Sequence, residues 1–383
     1  MIMNLVMKLV YSLLFLAFCA SALAIDKPKG DTQESKTYER SFKVAPDSYF
    51  EITNKYGQII INTWDKDSIQ VTAEVTAHGK DYSDTRKLLS RVDIDFSQTG
   101  QYLSVETMLD RKSGFFKELW NSVSDYSKTL LSKTKLEIDY KIYLPNTINL
   151  ELENKFGDLY LSEIKGKCDI NITHGNLRAN VIHGSSTIAV GFGDVKIKEL
   201  KSGVITLKTT DADIQTLGDV TFKSSSSHVR IKKADQLNID SRSDKSLRIE
   251  EINRIIGKSL FSKLELEDVK KSIDLNMNYG ELRADNIAFS FSKIDLEGKY
   301  TDVYLQFAPD TYLQADITAK EDQLSMPVEG VSLERNYEDE KRKYVNVKGT
   351  MGQKNNYPGY LFVNSSGGEV AIRLTGMQHS VNK

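Results

Sequence analysis

The chain has 383 residues, of which 27% are charged and 40% hydrophobic, with 51 Lys and Arg against 53 Asp and Glu. That composition excludes a wholly disordered protein. A formal net charge of -2 excludes an overall field toward nucleic acid or an anionic membrane, so any such contact must come from local patterning.

In chain order, residues 1–24 come first, with Lys8 as their one charge, an apolar run from Leu9 to Phe18 and the small-residue ending Ala22-Leu23-Ala24. This is the pattern of a secretory signal peptide cut after Ala24, and it predicts export across the inner membrane to the periplasm or the cell surface. Cys19 follows the bulky Phe18 where a lipoprotein signal needs a small residue, which argues against lipidation. No later stretch approaches the roughly 18 apolar residues that span a bilayer as a helix, so no transmembrane segment is predicted. Beyond the signal, Cys168 is the one cysteine; alternating with Ile170 and Ile172, it is predicted to be a buried apolar residue without a disulfide.

Residues 40–150 read as a β-rich capping region. Its strands are Phe50 to Ile61, Ile69 to Val75, Val92 to Phe96, Tyr102 to Thr107 and Leu136 to Leu144, with a short helix over Asp81 to Arg91. A helical insertion is predicted over residues 113–132. Its apolar residues Phe115, Phe116, Leu119, Trp120 and Val123 fall on one helical face, which is a candidate partner contact.

From residue 151 to 308 the chain repeats. Short strands with a polar residue between two outer, mostly apolar ones begin at 159, 177, 195, 214, 229, 247, 264, 282 and 303, with steps of 18, 18, 19, 15, 18, 17, 18 and 21. Another apolar residue usually follows five positions later, a column that Asp219 breaks, and a second alternating strand sits half a period on, as in Ile170/Ile172 and Ile188/Val190. Alternation marks a sheet with one buried face. The expected fold is all-β: a parallel β-solenoid with two short strands per coil of about 18 residues, whose nine coils would rise roughly 40 Å at strand spacing. An aromatic or His followed by Gly or Thr opens many coils, as in Phe156-Gly157, His174-Gly175, Phe192-Gly193 and Tyr279-Gly280. Gly is expected there to supply a positive φ, and His174 to be one rung of an aromatic stack. Residues 309–375 read as a C-terminal β cap and 376–383 as a frayed tail.

The run Glu51-Ile52-Thr53-Asn54-Lys55-Tyr56-Gly57, then Ile59-Ile60-Ile61 and Thr63-Trp64-Asp65-Lys66-Asp67, resembles the opening of a family of exported bacterial β-strand-repeat proteins known as adhesins of unassigned function. Tyr140 to Pro145, followed by Asn154 to Leu161 and the stacked strands, is similar to the same family, and the match covers most of residues 40–310. The resemblance implies a bacterial, envelope-located, non-enzymatic β-solenoid, and it carries no catalytic residues. Residues 110–134 look longer and more helical than the family pattern.

The middle residues of the first strands form an outward column in which Arg178, Lys196, Arg230, Arg248 and Arg283 are basic, with Tyr160, Gln215, Glu265 and Tyr304 between them. Stacked basic groups at strand spacing match carboxylate, sulfate or phosphate groups on a polyanion, and these five residues are the candidate anionic-ligand surface. A neighbouring column of Asp158, Asp194, Asp213, Glu281 and Asp302 offers the alternative of a self-neutralised, solvated ladder. Asp194, Asp211 and Asp213 lie close enough for paired acid-base work on a glycosidic bond. The five histidines show no metal-binding spacing, and no nucleotide loop or cofactor motif is present.

The leading expectation is a non-enzymatic, exported envelope protein that presents an extended surface for binding or scaffolding, with an anionic glycan or another envelope protein as partner, no sequence-specific nucleic acid and no cofactor. The competing expectations are a periplasmic regulatory or sensor-associated protein docking through the amphipathic helix, and a carbohydrate-active enzyme.

Overall fold

A computed structural model of the protein describes residues 32–109, 136–339, 344–354 and 358–375. Among these residues the chain is all-β, with a 22-stranded, mostly parallel sheet and one α-helix, Tyr82–Leu89, beside a single 3-10 turn. The helix starts where expected because the Asp81 side chain accepts a hydrogen bond from the Asp84 backbone N–H at 2.9 Å. The predicted signal peptide, the 113–132 insertion with its apolar face and the 376–383 tail lie outside the described residues.

The organising pairing is parallel and nearly constant in register. Leu177 pairs with Leu159 on one side and with Val195 on the other, Val229 pairs with Leu247, Leu247 with Leu264 and Leu282 with Val303. Each of these offsets is one turn of chain, here called a coil. Equivalent residues therefore stack, and the inward column Leu159, Leu177, Val195, Ala212, Val229, Leu247, Leu264, Leu282 and Val303 is nowhere more than 6% exposed. This arrangement is compatible with a solenoid.

One coil is registered differently from the sequence reading. Ala212 pairs with Val229 and Asp213 with Arg230, so the rung is Ala212-Asp213-Ile214 rather than Ile214-Gln215-Thr216. The small Ala212 hides the inward position, and the larger Ile214 draws the eye two residues on. In the true register Leu217 pairs with Ala234 and is buried, so the column that Asp219 interrupts in the sequence reading is continuous.

Both ends draw on distant sequence. The strands Tyr49–Lys55 and Ile59–Trp64 pair in parallel with Asn149–Lys155 and Leu159–Leu161, a jump of about 100 residues, so residues 49–64 form a full layer of the stack. Beyond them, Tyr102–Leu109 and Leu136–Pro145 continue the stack, and the antiparallel strands Ser68–Gly79, Thr32–Lys43 and Val92–Thr99 finish it. At the other end, Gly359–Ser365 and Val370–Leu374 pair with Lys293–Phe307. Tyr312–Lys320 lies outside Gly359–Ser365 and turns antiparallel against Tyr344–Gly352. Antiparallel strands at each end break the template that an open parallel edge would offer to another chain.

The corners show why particular residues recur. The positive φ belongs to the aromatic itself, between 52 and 65° at Tyr56, Phe156, His174, Phe192, Phe261, Tyr279 and Tyr300, and not to the glycine after it as the sequence reading expects. That conformation costs an L-residue about 1–2 kcal/mol, and ring stacking on the neighbouring coil offsets it. Tyr56, Phe156, His174 and Phe192 stack at 5.5, 5.2 and 4.8 Å, and Phe261, Tyr279 and Tyr300 at 5.0 and 5.2 Å. The following glycine is needed for close approach: a Cβ on Gly175 would lie 2.0 Å from the Gly157 carbonyl oxygen. Three middle coils carry Thr209, Ser226 and Ser243 instead of rings. There the corner is held by the buried Asp244 carboxylate, which accepts from the Ser227 N–H and from the Ser224 and Ser241 hydroxyls at 2.5–2.8 Å.

Gly175→Ala forces backbone against backbone and is expected to destabilise the protein by about 1–3 kcal/mol in urea or thermal unfolding. Gly191→Ala, whose Cβ would meet nothing nearer than 4.0 Å, is expected to be neutral or slightly stabilising in the same assay. Equal effects for the two would remove the close-approach account.

Candidate functional site

The register sets which side chains share the outward face of the first strands. Reading across coils, one outward column runs Tyr160, Arg178, Lys196, Asp213, Arg230, Arg248, Glu265, Arg283 and Tyr304. Two residues further along each strand a second column runs Asn62, Ser162, Asn180, Lys198, Gln215 and Lys232. Period-two alternation implies this second column, yet the sequence reading looked only at strand centres and so missed Lys198 and Lys232.

Ion pairing divides the predicted basic ladder in two. Arg248 contacts the Glu267 carboxylate and lies 4.0 Å from Glu265, and Arg283 lies 3.7 Å from Glu281 and 3.9 Å from Asp285. These two are the self-neutralised part. Arg178, Lys196 and Arg230, together with Lys198 and Lys232, form no ion pair among the described residues. Arg178 instead turns its guanidinium over the Tyr160 ring of the preceding coil, at 5.7 Å from the ring centroid. Burial is the first cause that holds the Tyr160 phenol above its ordinary value, with the Asp158 charge second.

The unpaired half coincides with a groove of about 420 Å³, whose charged lining is Arg178, Lys196, Lys198 and Asp213. Amide and hydroxyl groups of Asn62, Asn180, Gln215 and Ser162 interleave with them. Of the five predicted ligand residues, the structure brings Arg178 and Lys196 into the groove, keeps Arg230 one coil beyond it, and places Arg248 and Arg283 elsewhere. Cations without counter-ions and neutral hydrogen-bonding groups on one concave strip are equipped to take an anionic, hydroxyl-rich chain.

The acidic column has a backbone role. Asp158 Oδ1 accepts the Asn176 N–H at 2.9 Å, Asn176 Oδ1 accepts the Asp194 N–H at 2.7 Å, and Asp302 Oδ1 accepts the Glu369 N–H at 2.8 Å. Each side chain caps the equivalent amide of the next coil, a position where the corner leaves that amide outside the strand ladder. Of the trio Asp194, Asp211 and Asp213, only Asp213 lines the groove; Asp211 pairs with His228 and belongs to the capping column, while Asp213 belongs to the cation column.

Other reactive groups are occupied. His174 is sandwiched between Phe156 and Phe192. Cys168 is buried and its thiol is pushed up to about 12 by that burial, which leaves it no nucleophilic thiolate near neutral pH. Among the described residues no group of three or more His, Cys, Asp or Glu is placed to hold a metal ion.

A second row of like charge lies on other strands of the stack. Glu51, Glu151 and Asp169 stack in register on adjacent layers. Tyr102 donates its hydroxyl to Glu51 and is itself pushed up to about 12, first by that hydrogen bond. Burial first, and then the charges of Glu51, Asp169 and Glu153, hold the Glu151 carboxyl above its ordinary 4.5.

No protein-family model and no curated protein matches the sequence. Among solved structures, the chain is similar to a candidate cell adhesion protein from Clostridium sporogenes, at 11% identity over 89% of this chain and 100% of that one, with a TM-score of 0.18. It is also similar to candidate adhesins from Bacteroides fragilis (11% identity, 70% and 97% covered, TM-score 0.26) and Parabacteroides distasonis (13%, 70% and 97%, 0.28). No residue role is carried over from them.

A carboxyl whose folded pKa is raised stabilises the fold below its unfolded pKa and loses that contribution as pH rises through the folded pKa. Glu151→Gln is therefore expected to raise the melting temperature at pH 7, with the gain shrinking to nothing as pH falls below about 4.5. A gain that persists at acid pH would show that charge stacking is not its cause.

Proposed function

We propose that the protein is a non-enzymatic, exported envelope protein whose body is a parallel β-solenoid with two short strands per coil of about 18 residues, and that it binds an anionic ligand on the groove of Arg178, Lys196 and Lys198. The observation that carries this reading is the split in the basic ladder. Arg248 pairs with Glu265 and Glu267 and Arg283 with Glu281 and Asp285, whereas the groove cations Arg178, Lys196 and Lys198 form no ion pair among the described residues, although Asp213 lies in the same groove. Like charges stacked across a sheet without relief are destabilising, and a fold that keeps them in a groove keeps them for an external counter-charge. The leader-like residues 1–24 support export, and the adhesin-type neighbours fit a binding role at the cell envelope. The N-terminal region over residues 40–150 and the C-terminal region over 309–375 serve as caps on the 151–308 body in this reading.

The test is binding of the purified protein to immobilised acidic and neutral glycans at low and high salt. Arg178→Gln/Lys196→Gln/Lys198→Gln is expected to lose at least tenfold in affinity for acidic glycans, since a hydrogen bond to a charged group is worth about 1.5–3 kcal/mol, while Arg248→Gln/Arg283→Gln keeps wild-type binding. Binding that survives the triple substitution, or that ignores salt, would move the site elsewhere.

A further inference from the structure

The charge in the groove is not uniform along the stack. The coil of Lys196 and Lys198 carries two positive charges, the next coil carries the negative Asp213 beside the neutral Gln215, and the coil after that, just beyond the groove, carries Arg230 and Lys232. In the other direction Arg178, one coil before Lys196, lays its guanidinium over the Tyr160 ring. Positive charge therefore flanks the Asp213 coil on both sides, at Lys196/Lys198 and at Arg230/Lys232, about 9.6 Å apart at a strand spacing of ~4.8 Å.

From this pattern we infer that the groove selects a linear acidic polysaccharide in which a charged sugar alternates with an uncharged or amine-bearing one, laid along the coil-stacking direction. The inference rests on the anionic-ligand reading above and adds the spacing. An extended pyranose chain advances by close to one coil spacing per ring, so acidic groups on alternate rings meet Lys196/Lys198 and then Arg230/Lys232. The ring between them faces Asp213, which accepts from hydroxyl, acetamido N–H or ammonium groups, and Gln215, which also donates to hydroxyl or acetamido oxygens. A chain with an acidic group on every ring would bring one of them against the Asp213 carboxylate, and that repulsion is the discriminating element. Nucleic acid is disfavoured on the same ground and on a second: Tyr160 is the one aromatic ring in the groove, and Arg178 lies over one of its faces, so the groove has no run of rings for successive bases to stack on.

Asp213 is exposed and forms no hydrogen bond or ion pair among the described residues, so its replacement leaves the fold intact. The experiment compares oligosaccharides of equal length by titration at fixed low ionic strength: an alternating uronate and N-acetylhexosamine chain, an all-uronate chain, a neutral N-acetylhexosamine chain, and a single-stranded DNA. The wild-type protein is expected to bind the alternating chain at least tenfold tighter than the all-uronate chain, although the latter carries twice the charge. Asp213→Asn, and independently Gln215→Lys, are expected to strengthen all-uronate binding at least threefold and so narrow that preference. Wild-type binding that simply follows charge, with the all-uronate chain or DNA tightest, overturns the alternating-chain inference, as does an Asp213→Asn protein with an unchanged preference. In either case loss of binding in Arg178→Gln/Lys196→Gln/Lys198→Gln leaves the anionic-ligand reading standing. If no acidic chain binds at all, both fall together.

Discussion

Parallel pairing of each strand with chain one turn further on is the constraint from which the rest follows. It stacks like on like at about 4.8 Å, so whatever a position contributes in one layer it must contribute, or explicitly avoid, in the next. Inward columns become continuous apolar ribs, as from Leu159 to Val303. Corners become ladders, in which rings sit on rings and Asp158, Asn176 and Asp302 cap the neighbouring amides. Outward columns become rows of like charge, and there stacking turns from an asset into a cost.

The same constraint governs the ends. A parallel stack has no internal reason to stop, and both of its ends are made from segments that leave the chain order. Residues 49–64 wait about 100 residues for their partner layer at 149–161, and residues 359–374 are set between 293–307 and 312–325. Each insertion lets the chain arrive at the end with antiparallel strands in hand, which close the edge by their own pairing. Pairings at such long separation are slow to form because loop-closure entropy precedes their reward, so the ladder of near neighbours between 151 and 308 is the natural first structure.

Much of this was legible in the residues, and the failures have physical causes. The repeat, the period-two strands, the short helix after Asp81 and the aromatic ladder all follow from alternation and spacing, which are local. The Ala212 rung was misread because alternation signals side-chain size as much as position, and a small inward residue next to Ile214 carries too little signal. Corner glycines were recognised for the wrong reason: the close approach of two backbones is a property of the neighbouring coil, invisible along the chain, whereas the positive φ sits on His174 and its equivalents. The site was half legible. Arg178 and Lys196 stood out as a ladder, but which ladder members are neutralised depends on side chains one coil and two residues away, and Lys198 and Asp213 entered only with the true register.

That register also sharpens what the charge pattern means. A sheet that stacks basic residues can relieve them within its own face, and this one does so at Arg248 with Glu265 and Glu267 and at Arg283 with Glu281 and Asp285. Such exposed pairs add little to stability, but they show that relief is available wherever a carboxylate fits the alternating position. At Arg178 the same alternating positions hold Asn176 and Asn180, which neutralise nothing and hydrogen-bond well, and at Lys196 they hold Asp194 and Asp213, neither of which forms an ion pair with it. On the strands of residues 49–55, 149–155 and 168–173, Glu51, Glu151 and Asp169 form a negative ladder, and the Glu151 carboxyl in its middle is held above its ordinary value. In a chain whose total charge is -2, the stack thus carries local rows of each sign. Stacked like charges cost the fold stability, and in the reading proposed above the cation row at Arg178, Lys196 and Lys198 is kept for an external counter-charge.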